Sequence, residues 1–166
     1  MRTPFWFCQP TTAHIGGDWF HLLVTPVQEW VELLDREVAH HLKVPAANQA
    51  LRLDPNCIEA HLVLAKDATN RDKARLHLEK AVGTGQDLWH PVARAQGDFA
   101  WWGVTATRPF MRAIRALGEL AMEMGDERVA EVCYRKLLAM NPADNQGVRS
   151  VVEDVEPEGE TPAPRR

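Results

Sequence analysis

The chain has 166 residues, 45% of them apolar and 25% charged, and a net charge of −4. That is enough for one domain with its own core, in the composition of a soluble globular protein. The acidic balance argues against a nucleic-acid reader, which is ordinarily basic, and no apolar run approaches the ~20 residues that span a bilayer.

Residues 1–24 read as an irregular, aromatic-rich segment. Phe5-Trp6-Phe7 and Trp19-Phe20 are separated by Gln9-Pro10-Thr11-Thr12 and Gly16-Gly17, and neither a helical nor a strand period persists. The expectation is a lid over the first helices, with an aromatic contact surface as the alternative. No sustained apolar region marks a signal peptide. From Thr25 the signals sharpen. Thr25-Pro26-Val27-Gln28 offers an N-cap, a proline at the first helical position and a glutamine three residues after the cap. Val27, Trp30, Val31, Leu34, Val38 and Leu42 follow at helical spacing. Pro45 is expected to break or restart this helix, and a shorter one over 46–53 ends at Asp54-Pro55.

Asn56 and Glu59 resemble a capping box for the next helix, which should bury Ile58, Leu62 and Leu64 or Ala65. Asn70 caps a partner helix burying Ala74, Leu78, Ala81 and Val82, and Gly83-Thr84-Gly85 is expected to end it. A Trp-rich connection follows to Ala106, expected to be a partly helical insertion packed by its tryptophans.

The most regular stretch is 107–145. A helix from about Pro109 to Met124 carries Phe110, Ile114, Leu117, Leu120, Ala121 and Met124 on one face. A second, from about Glu127 to Met140, carries Val129, Ala130, Cys133, Tyr134, Leu137 and Leu138. Gly125-Asp126 joins them, with Asp126 as the cap, and Asn141-Pro142 stops the second. Gly118 and Ala130 are small where two helices must approach closely. Tyr134 and Leu137 supply bulk for the next pair. Met111 to Asp144 spans 34 residues, the tetratricopeptide period. A short helix is expected over about 144–152. The end, 153–166, is polar and rich in Pro and Glu, and reads as a disordered tail. The expected architecture is all-α: a short tetratricopeptide-like solenoid of antiparallel helix pairs over residues 25–152.

Three blocks carry a family resemblance: LRLDPNCIEAHLVLAKDATNRDKARLHLEKAV, FAWWGVTATRPFMRAIRALGELAMEMGD and YRKLLAMNPADNQGVR. They resemble the soluble part of the suppressor-of-tumorigenicity-7 family. They look still more like its bacterial tetratricopeptide relatives, in which TRPYMRA-like and NPxDNQGxR-like motifs recur. Phe110 stands where Tyr is usual, and Ala143 where Asn or Asp is common. The resemblance covers roughly residues 46–152, with the DNQGVR block its most specific part. It implies an α-solenoid interaction module and no established enzyme chemistry. The first 24 residues do not match. After Arg149 the acidic tail replaces the further helices of the relatives, leaving the last apolar face without its usual cover.

Catalytic and metal-binding signals are weak. Cys8, Cys57 and Cys133 are widely spaced, with no CxxC, so reduced cytoplasmic cysteines are expected rather than a disulfide framework. Cys57 and His61 share a helical face and His40-His41 lie together, but the four convergent ligands of a zinc site do not follow from their spacing. Cys133 belongs to an apolar face, where a small buried thiol is usual. There is no GxSxG, phosphate-binding glycine loop or HExxH. No catalytic residue, cofactor or metal is therefore assigned. The arginines are a better lead. Arg108, Arg112 and Arg115 fall at i, i+4 and i+7 on one helix face, and Arg149 with Asn145 and Gln146 could extend the stripe. Guanidinium groups suit bidentate capture of carboxylates. The alternative is a solvated face, with Glu119 neutralising Arg115 four residues away. The expectation is a non-catalytic module binding an acidic protein or peptide segment, not nucleic acid or membrane. The second reading is a self-associating solenoid that forms a homo-dimer.

Overall fold

The computed structural model describes residues 40–155, with side chains over 42–152. The aromatic segment 1–24, the helix expected from Thr25 and nearly all of the tail 153–166 lie outside the described residues. Six α-helices follow one another: α1 (His40–Leu53), α2 (Ile58–Asp67), α3 (Arg71–Gln96), α4 (Arg108–Glu123), α5 (Glu127–Met140) and α6 (Arg149–Val155). A 3-10 turn, Thr105–Thr107, leads into α4. The described residues contain no strand. Each helix packs on its neighbours in order, and α2 also touches α4. Short turns reverse the chain between α2 and α3 and between α4 and α5.

One main core runs from Ile58 to Val152 through α2–α6, built on Leu78, Trp89, Phe110, Ile114, Tyr134 and Leu137 among others. A smaller cluster of Ala46, Ala47, Ala50, Cys57 and Ala60 joins α1 to α2. Its alanines bring two helices together at little side-chain entropy cost.

Asn70 and Asp126 cap as the sequence predicts: Asn70 Oδ1 accepts from the Lys73 amide at 2.9 Å and Asp126 Oδ1 from the Val129 amide at 3.3 Å. Three other expectations for the first helices are corrected. Pro45 lies inside α1 and does not break it. Asn56 does not cap α2; Cys57 stands at that position without a side-chain bond, and Asp54 Oδ1 accepts from the Asn56 amide at 2.9 Å. Gly83-Thr84-Gly85 does not end α3, which continues through Pro91 to Gln96. Each helical glycine costs about 1 kcal/mol against alanine. The unbroken buried stripe Leu78, Ala81, Val82, Gly85 and Trp89 recovers it. Gly85 is required there, because the Phe110 ring of α4 lies where its Cβ would be, with Cδ2 at 2.1 Å.

The last helix begins later than expected. Residues 144–148 form a tight turn, with Asp144 at φ 51° and Gly147 at φ 68°. The Asp144 carboxylate accepts from the amides of Val148 at 2.8 Å and Arg149 at 3.0 Å, so α6 starts only at Arg149. Tyr134 also has a different neighbour from the one expected. Its ring packs back on Gly118 of its own pair, where an added Cβ would meet Cε1 at 2.8 Å.

Candidate functional surfaces

Thr107 is fully buried and sets the start of α4: its hydroxyl donates to the carbonyls of Val104, at 2.8 Å, and Trp101. From there α4 carries Phe110, Ile114 and Leu117 into the core and leaves Arg108, Arg112 and Arg115 exposed. The three guanidinium groups do different things. Arg108 stands over the Trp102 ring, 5.1 Å from its centroid, a cation–π contact. Arg115 donates from Nε to Glu119 Oε1 at 2.7 Å and from Nη1 to the Gln146 carbonyl at 3.0 Å. Arg112 makes no ion pair with a described residue.

The neutralising pair considered from sequence, Arg115 with Glu119, is therefore present. Arg149 is engaged too: its Nη2 donates to the Pro142 carbonyl at 2.9 Å. The structure thus brings Arg115, Gln146 and Arg149 together at the 141–149 loop, where the two arginines bond loop carbonyls. Asn145 is exposed on that loop. The Gln146 side-chain oxygen and Asn141 Nδ2 are buried there without hydrogen-bond partners. Arg108 lies apart, at the far end of α4's exposed face. The DNQGVR block has a structural explanation in this loop, with Asp144 holding two amides and Arg149 a carbonyl.

Among the described residues, His61, Cys57 and Cys133 are buried. His61 of α2 and His77 of α3 face each other with Nδ1 atoms 3.0 Å apart, while His61 Nε2 bonds the Pro55 carbonyl at 3.1 Å. A carbonyl only accepts, so His61 carries its proton on Nε2 and His77 donates from Nδ1. Burial lowers the pKa of both rings. Cys133 is buried, and desolvation pushes its thiol up to about 11. A thiol held that high is a poor nucleophile. Among the described residues no three His, Cys, Asp or Glu side chains gather to hold a metal ion. No described helix is long and apolar enough to cross a membrane.

A surface that the sequence reading missed lies across α4 from the arginines. It is an apolar groove of about 330 Å³ between α3 and α5. Ile114 and Leu117 of α4 form its floor, Val82 and Gln86 one wall, and Val129 and Val132 the other, with Arg128 and Lys136 at its edge. Val132 is 66% exposed. The available signal was Val132 and Lys136, at i+3 and i+7 from Val129, which widen the apolar face of α5 beyond the core stripe. No family model, curated protein or solved structure matches the chain.

Proposed function

We propose that this chain is a non-catalytic, tetratricopeptide-like interaction module of the cytoplasm, akin to the relatives its blocks resemble. It holds an acidic segment of a partner protein on the exposed face of α4. The observation that carries the reading is Arg112, exposed between Arg108 and Arg115 and without an ion pair to any described residue. The arginines on both sides of it have partners of their own. Trp102 supports Arg108, and Glu119 with the Gln146 carbonyl fixes Arg115. A carboxylate arriving at Arg112 meets a guanidinium with no competing ion-pair partner among the described residues, flanked by two that are already engaged. The serial packing of helix pairs and the close approach at Gly118 support the repeat scaffold behind it.

The test is affinity capture with the full chain, followed by mass spectrometry, in parallel with an Arg112→Ala/Arg115→Ala variant. A partner retained by the parent at low salt, released as salt rises and lost in the double variant supports the reading. The melting curve should hardly move, since exposed ion pairs contribute about 0–1 kcal/mol. A partner held equally by both proteins refutes it. A concentration-independent dimer in sedimentation, with no captured partner, favours the self-associating solenoid instead.

A further inference from the structure

The groove between α3 and α5 is independent of the arginine face. At about 100° per residue, Ile114 and Leu117 lie on the side of α4 opposite Arg112 and Arg115. Its walls are two helices that begin at the same end, tied there by Arg75 Nη1 to Asp126 Oδ2 at 3.2 Å. Val132 stands open to solvent on one wall.

Charge is distributed unevenly around it. Arg128 and Lys136 flank Val129 and Val132, eight residues or about 12 Å apart along α5. Neither forms an ion pair with a described residue. Two acids of the same helix region are engaged elsewhere: Asp126 with Arg75, and Glu131 with Arg135 at 2.7 Å. Lys136 lies over the Phe110 ring, 5.3 Å from its centroid, and burial lowers the pKa of its ammonium.

The walls also restrict the form of an occupant. Both wall helices satisfy their own backbone groups, so an extended peptide laid between them would find no ladder for its N–H and C=O groups. A helix carries its hydrogen bonds internally and presents only side chains. We infer that this groove docks an amphipathic helix of a partner protein, with apolar residues two turns long facing Val132 and a carboxylate at each end facing Arg128 and Lys136. The two cations, two turns apart, match carboxylates at i and i+7 or i+8 of a helix alongside α5.

The probe is a labelled alanine-rich helix bearing Leu at i and i+3 between Glu at i−4 and i+4, eight residues apart, titrated with the full chain by fluorescence anisotropy. A second helix has Lys in place of both Glu. The acidic helix should bind saturably and the basic one at least about tenfold more weakly, because like charges would be juxtaposed. Val132→Asp should abolish binding with the circular-dichroism melt unchanged. Arg128→Glu with Lys136→Glu should reverse the preference between the two helices. Arg112→Ala should leave it alone. The proposal is overturned if neither helix binds, if both bind equally, or if the preference survives the charge reversal. Loss of binding on Arg112→Ala would also overturn it, by placing the helix on the arginine face. So would a dimer of this chain that Val132→Asp dissociates, which would make a second copy the occupant.

Discussion

Two glycines in α3, two residues apart, should respond to the same substitution with opposite sign. Gly85→Ala places a methyl group against the Phe110 ring, with Cδ2, Cγ and Cε2 at 2.1, 2.5 and 2.8 Å from the new carbon. All three distances are far inside contact. The ring cannot swing away, since Phe110 is fully buried and has Trp101 and His90 at centroid distances of 6.1 and 6.3 Å. Relief requires α3 and α4 to separate, and overpacking of this kind costs about 1–3 kcal/mol, here at the upper end. Alanine returns about 1 kcal/mol through helix propensity, leaving a net loss near 2 kcal/mol. For a chain of this size that lowers Tm by roughly 4–8 °C. Gly83→Ala meets nothing within 4 Å. It should keep the propensity gain and raise Tm by about 2–4 °C. Thermal melts followed at 222 nm, with urea midpoints as the equilibrium check, measure both. If Gly85→Ala stabilises as Gly83→Ala does, the α3–α4 contact at Phe110 is not as described.

Gly118→Leu should destabilise by about 1–3 kcal/mol in the same assay, because the Tyr134 ring and Cys133 Cβ, at 2.8 and 3.2 Å from the added carbon, leave no space. Cys133, with its thiol pushed up to about 11, should resist alkylation at neutral pH in the folded chain and react fully in urea. Site-resolved mass spectrometry separates it from the other thiols, and rapid native labelling would refute the burial. The His61–His77 pair makes stability pH-dependent. Burial lowers both folded pKa values, so the unfolded chain takes up protons first as pH falls below 6.5. The stabilisation is complete above that value and is lost as pH drops through the folded pKa values. Lys80 adds to the lowering of His61 and Asp54 opposes it. The urea midpoint should fall between about pH 7.5 and 5.5, and His61→Gln should flatten that slope. An unchanged slope in the variant would assign the pH dependence to other groups.

The sequence by itself determined the helices of the 107–142 pair, the caps at Asn70 and Asp126, and the stop at Asn141-Pro142. These are local effects: periodicity, a side-chain acceptor for free amides, and a ring that cannot continue a helix. It also held the positions of Arg108, Arg112 and Arg115 on one face. Only the tertiary structure decided what those groups do. Arg115 and Arg149 meet carbonyls of the 141–149 loop, and Arg115 Nη1 and the Gln146 carbonyl are 31 residues apart in the chain. The passage of α3 through Gly83-Thr84-Gly85 was decided the same way. Local propensity favours an ending there, while the Phe110 ring, a residue of the next helix, turns Gly85 into the point where two helices close. The groove between α3 and α5 belongs to neither helix alone. It exists because both pack on α4 and leave Val132 uncovered, a relation between elements that no single stretch of sequence contains.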